Sequence, residues 1–213
     1  MCLGDAGGKE CKVMMKTKIL LSTLALMILL PLSGCNNNEK NTADSKEVED
    51  VFVSAKTDSY ESVEELENAS DLIVIGTKVK ELESDVIYDE NDVYQIAYTY
   101  SSFQIDEIIN NKVNESRKEI MIFENQAYDK KYNQILHIAG YTNMLKGNKY
   151  ILYLRLADEG YYIPLAVTIG KVPLTNSEIN GTKLKMKNAE DNEIVEKLHK
   201  EIQKKYENQI DYG

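Results

Sequence analysis

Short runs of apolar and β-branched residues, each of strand length and each closed by polar or turn-forming residues, set the strongest limit on what this chain can fold into. The clearest is Leu72-Ile73-Val74-Ile75-Gly76-Thr77-Lys78-Val79, which predicts a buried strand over 72–79. Residues 94–109 predict a longer strand that alternates only in part, with Tyr98 and Tyr100 in one phase and Phe103 and Ile105 in the other. The phase shift at Ser101-Ser102 marks a bulge, the device by which a sheet coils on itself. Glu119-Ile120-Met121-Ile122-Phe123 and residues 149–156 predict two further strands, the second joined through Asp158-Glu159-Gly160 to residues 161–167 as a hairpin. Pro164 puts that last segment at an edge or bulge, because proline cannot donate to a central ladder. Residues 83–92 read as a polar loop.

Two helices flank these strands. Ser62 and Glu65 form a capping box ahead of a short helix to Ala69, with Val63 and Leu66 on one face. At the other end Ile194, Val195, Leu198, Ile202 and Tyr206 recur at helical spacing, and Glu193, Glu196 and Glu201 each precede a lysine by four residues. Interleaved glutamates do not suit a cationic membrane helix, so this helix is expected to pack on the protein's own sheet. The chain is thus expected to be mainly β with flanking helices.

Ahead of the fold, Lys16-Thr17-Lys18 leads into an apolar run over 19–30, then Pro31 and Leu32-Ser33-Gly34-Cys35. A basic segment, a short apolar run and small residues before a cleavage point describe a secretory signal peptide over 1–34, too short for a membrane-spanning helix. Residues 1–14 fit badly, and translation is expected to begin at Met14 or Met15. Leu32-Ser33-Gly34-Cys35 resembles the lipobox of bacterial lipoproteins. That resemblance implies cleavage between Gly34 and Cys35, a diacylglycerol on the Cys35 sulfur, and a cell-membrane location on the extracytoplasmic face, with two acyl chains giving durable anchorage. Residues 35–57, polar and without an apolar period, read as the lipidated Cys and a flexible tether. With Cys2 and Cys11 removed, no intramolecular disulfide is possible and the fold rests on its core.

The net charge is -10 before processing, and removing Lys9, Lys12, Lys16 and Lys18 against Asp5 and Glu10 takes it to about -12. With only Arg117 and Arg155 as arginines, the chain has no basic footprint for phosphates, and no nucleic-acid partner is expected.

In order, the elements resemble the netrin-like modules related to tissue inhibitors of metalloproteinases. The likeness rests on Ala69-Ser70-Asp71-Leu72-Ile73-Val74-Ile75-Gly76, on the strand from Tyr100 to Asn111-Lys112, and on Leu145-Lys146-Gly147-Asn148-Lys149-Tyr150-Ile151-Leu152. The likeness covers roughly residues 60–170 and implies an OB-like, closed or partly open five-stranded barrel; the barrel domain is expected over 58–187, with the C-terminal helix at 188–213. Those inhibitors chelate the protease zinc through a free N-terminal Cys; here Cys35 is expected to be acylated, so that mechanism does not carry over.

Few residues suggest chemistry. Asp85, Asp89, Glu90, Asn91 and Asp92 offer oxygens to Ca²⁺, but without the spacing of a calcium loop. His137, in Gln134-Ile135-Leu136-His137-Ile138, has no nucleophile at a recognisable spacing and reads as a core or edge histidine; His199 reads as a surface residue. No G-x-S-x-G, H-E-x-x-H, G-x-x-x-x-G-K-[ST] or G-x-G-x-x-G occurs. Tyrosine, 14 against 3 Phe, is the abundant aromatic, and a ligand face, if there is one, is expected at Tyr94, Tyr98 and Tyr100. The sequence therefore points to a membrane-anchored, non-enzymatic binding or accessory module for an envelope or extracellular protein, without cofactor. A Ca²⁺- or small-ligand-binding sensor and an envelope hydrolase stand as alternatives.

Overall fold

The computed structural model describes residues 47–181 and 189–211. The signal segment, Gly34, Cys35 and the start of the tether lie outside the described residues.

Helix α1 (Val63–Ala69) begins where Ser62 Oγ accepts from Glu65 N at 3.2 Å, while the Glu65 carboxylate accepts from Glu61 N at 2.9 Å. It ends at Ser70, whose hydroxyl donates to Leu66 O at 2.7 Å, and Leu66 is fully buried beneath it.

Strands β2 (Leu72–Tyr88) and β3 (Tyr94–Asn111) form a long antiparallel hairpin. Its base enters a ring with β4 (Glu119–Glu124), β7 (Lys149–Leu156) and β8 (Tyr162–Pro164). β3 pairs with β4, β4 meets β8 in parallel through Ile122 and Tyr162, β8 pairs with β7, and β7 returns antiparallel to β2. The expected mainly β chain with flanking helices is what forms, its six-stranded sheet containing a ring of five strands.

Closing such a ring requires the strands to coil, and β2 and β3 do this with unpaired extra residues: Asp106 and Ile109 on β3, Val79 and Leu82 on β2. The irregularity expected at Ser101-Ser102 thus lies on the strand opposite them. Gly76 sits at one of these shifts, where a Cβ would fall 2.1 Å from Gln104 O, so no side chain is tolerated.

Alternate residues bury opposite faces. Leu72, Val74, Phe103, Ile122, Leu152 and Leu154 fill the ring, while Ile73, Ile75, Ile151 and Tyr153 pack against Leu66 and the C-terminal helix α3 (Ala189–Lys205). Burial on both faces is why 72–79 reads as a continuous apolar run rather than an alternating one. From α3, Val195, Leu198 and Ile202 are buried as expected, whereas Ile194 stays exposed. Of the glutamate–lysine pairs, Glu196 and Lys200 meet at 3.6 Å, and Lys205 instead holds Glu67 of α1 at 2.5 Å, tying the two helices together. β9 (Lys171–Pro173) pairs with the start of β7, and α2 (Asn176–Gly181) follows. Among the described residues no helix is long and apolar enough to cross a membrane.

Two expectations change. Residues 83–88 are strand, not loop, and the turn is confined to 89–93: the facing residues 94–100 complete a backbone ladder that polar side chains do not prevent. Within the expected tether, Glu49–Val53 form strand β1, parallel to β6 (Gln134–Ile138), which pairs with β5 (Gln126–Asp129). This small sheet packs under the far end of the β2–β3 hairpin through Val51, Val53, Val86, Ala97, Ala127 and Leu136.

Candidate functional site: an aromatic face on the ring

Tyr98 and Tyr100 of β3 stand on the outer face of the ring, in the phase opposite the buried Ala97, Thr99 and Ser101. β4 places Phe123 beside them, and the hairpin turn before β8 adds Tyr161. Tyr98 and Phe123 stack with centroids 5.6 Å apart, as do Phe123 and Tyr161. Tyr100 tilts against Tyr98 at 4.9 Å and Tyr161 at 5.1 Å and meets Phe123 edge-on at 5.7 Å. All four rings are half-buried, so they form one continuous face with one side open. Offset and edge-on contacts at these distances fix ring positions before anything binds. Tyr98 donates its hydroxyl to Glu83 Oε1 at 3.2 Å. Burial, then Glu83, raises the Tyr98 phenol; burial, then the neighbouring Tyr161, pushes Tyr100 up to about 12. Both stay protonated hydrogen-bond donors at neutral pH.

Tyr94 does not join this face. Gln95 is an extra residue in β3, and a one-residue shift reverses the side a strand presents. Tyr94 is accordingly packed with the small-sheet cluster. Phe123 and Tyr161 were not placed on this face from the sequence: Phe123 comes there through the β3–β4 register, which pairs it with Tyr100, and Tyr161 through the β4–β8 pairing of Ile122 with Tyr162.

The acidic residues of 85–92 are not brought together on a common point. Asp89 Oδ1 accepts from Asn91 N and Val93 N at 2.9 Å each and closes the hairpin turn, Asp85 accepts from Val86 N at 2.9 Å, and Asp92 pairs with Lys131 and accepts from Tyr132 Oη at 3.0 Å. Among the described residues no three His, Cys, Asp or Glu side chains are placed to hold a metal ion.

His137 is buried, with Nδ1 2.9 Å from Tyr141 O and Nε2 2.8 Å from Asp50 Oδ1, and it stacks on Phe52 at 4.6 Å. Both ring nitrogens are occupied, Nε2 joining β6 to β1 and Nδ1 fastening the turn that follows β6. His199 corrects the expectation of a surface residue: it is half-buried, its Nε2 lies 3.2 Å from the carbonyls of Thr168 and Ile169, and burial lowers its pKa to about 4. It lines a cavity of about 320 Å³ with Lys171, whose ammonium is likewise pushed down by burial. Glu196, His199, Lys200 and Gln203 of α3 line this cavity at helical spacing, a face that the sequence pattern alone does not distinguish from a solvated one.

No protein-family model matches the chain, and no curated protein is similar to it.

Proposed function

We propose that the chain is a lipid-anchored, extracytoplasmic binding module that engages an envelope or extracellular protein through the aromatic face of Tyr98, Tyr100, Phe123 and Tyr161, and that it has no catalytic role. The observation that carries this reading is the face itself: pre-positioned rings with one open side and protonated phenols supply apolar area and hydrogen-bond donors at little entropic cost. The lipobox and the residues that follow it supply the anchorage. A chain of about -12 is repelled by an anionic bilayer, so the tether holds the ring domain outward, where a protein partner can reach it.

The test is crosslinking in intact cells followed by mass spectrometry, on the natural chain, Cys35→Ala and Tyr100→Ala. The expected result is a mature chain beginning at an acylated Cys35, with one envelope or extracellular protein recovered. Its recovery should be lost with Cys35→Ala and fall about tenfold with Tyr100→Ala. An unacylated chain, or recovery indifferent to Tyr100→Ala, would overturn the reading.

A further inference from the structure

A second cavity, of about 420 Å³, opens beside the aromatic face, and Phe123 belongs to its wall. The cavity has a chemistry unlike the rest of this acidic molecule. Arg155 of β7 and Lys56, on the segment after β1, both line it, and the side chain of neither makes a hydrogen bond or ion pair among the described residues, although the Arg155 charge acts on the nearby Tyr60 phenol. The other arginine, Arg117, is held by Glu115, so Arg155 is the guanidinium left for something else. Asp58 is the one carboxylate on the wall.

The far wall is the turn from Leu165 to Gly170, where Ala166 and Val167 take left-handed φ values of 46° and 59°. For a β-branched residue that conformation is costly and persists only when its surroundings impose it. They do so here. Tyr153 O accepts from Leu165 N at 2.9 Å, Gly170 O accepts from Tyr153 N at 2.8 Å, and Leu165 O accepts from Gly170 N at 2.8 Å. A Cβ on Gly170 would lie 2.5 Å from Leu165 N, so the turn cannot relax there. The amides of Ala166 and Val167 donate no hydrogen bond among the described residues. Free amides in a strained turn, a free guanidinium and a free ammonium are the donors an oxyanion requires, and Phe123, Ile163 and Pro164 supply an apolar wall.

We propose that this cavity binds the carboxylate of a small organic acid, with the acid's apolar body lying against Phe123 and Ile163. Arg155 and Lys56 face the oxyanion, and the 166–167 amides complete its hydrogen bonds. The carboxylate has two sources of the same chemistry, a free acid or the end of a peptide chain. This site is separable from the protein-partner reading: Phe123 belongs to both, but Arg155 and Lys56 lie only in the cavity and Tyr98 and Tyr100 only on the aromatic face, so benzoate binding and partner recovery are read on different variants.

The test uses the full-length protein in detergent and ligand-observed saturation-transfer NMR with benzoate as probe and benzamide as its uncharged twin. Benzoate should bind saturably and benzamide should not. Arg155→Gln, at an exposed position that leaves the core untouched, should weaken benzoate about tenfold, and Lys56→Gln severalfold. Displacement of benzoate by N-acetylphenylalanine supports the site and extends it to peptide ends; a site closed to N-acetylphenylalanine but open to benzoate supports it for free acids. Equal signals from benzoate and benzamide, no saturable signal, or a benzoate isotherm unmoved by Arg155→Gln would overturn the proposal.

Discussion

Lys78 Nζ and Glu124 Oε1 lie 2.9 Å apart with side chains 1% and 0% exposed, a fully buried ion pair joining β2 to β4. The pair is not isolated: Lys78 also donates to Met144 O at 2.6 Å, and Glu124 accepts from Ser101, from Tyr141 Oη at 3.1 Å and from Met144 N at 2.5 Å. Buried charges survive only with such partners, and removing one strands the other. Lys78→Met is therefore expected to cost about 3–5 kcal/mol. Lys78→Met with Glu124→Gln should cost less than the two single changes added together, measured as a double-mutant cycle by urea unfolding.

His137 clamps β1 to β6. His137→Ala should destabilise the chain by about 1–3 kcal/mol through lost buried hydrogen bonds. The effect should be local first: amide exchange at Val51 and Val53 should accelerate ahead of exchange in the ring. Equal acceleration at Val74 and Leu152 would show that β1 is not a separable unit.

His199 and Glu115 both contribute to the acid limb of stability. His199 stays neutral in the fold, its pKa lowered from 6.5 to about 4 by burial, so the unfolded chain takes up a proton first and stability falls as pH drops from 6.5 towards 4. Glu115, held chiefly by Arg117, has its carboxyl lowered from 4.5 to about 2, so its contribution is present above 4.5 and is lost between 4.5 and 2. His199→Gln should flatten the upper part of the curve and Glu115→Gln the lower part, read from unfolding midpoints across pH. A curve unchanged in both variants would contradict these assignments.

Val167 occupies a left-handed position that suits asparagine or glycine. Val167→Asn is expected to stabilise the fold by about 1 kcal/mol, raising Tm by about 2–4 °C. Because asparagine keeps the same left-handed turn and so the 166–167 amides in place, the variant should raise Tm while leaving benzoate binding intact.

What the sequence made legible was what local patterning controls. Residues 72–79 announced a strand buried on both faces, residues 149–156 matched β7 end to end, and Ser62 with Glu65 marked the start of α1. Polar strand continued to Tyr88 because the ladder to 94–100, not side-chain hydrophobicity, holds it. β1 escaped notice because five residues in a polar context become a strand only when β6 lies alongside. The aromatic face was half visible: Tyr98 and Tyr100 share a parity, but Tyr94 left it through the extra residue Gln95, and Phe123 and Tyr161 joined through pairings far apart in sequence. Burial of Lys78 and Glu124 depends on those same non-local pairings, and that of His199 on α3 packing over the 168–169 turn.

The central claim, that a lipid-anchored module binds a protein through its aromatic ring face, is tested most directly by site-specific photocrosslinking in intact cells. A photoreactive residue at Tyr161 is compared with one at Glu201 on α3, each with and without Tyr100→Ala. The account predicts a discrete adduct to one envelope or extracellular protein from position 161, absent from position 201 and lost with Tyr100→Ala. Equal adducts from both positions, or an adduct at 161 that survives Tyr100→Ala, would contradict it.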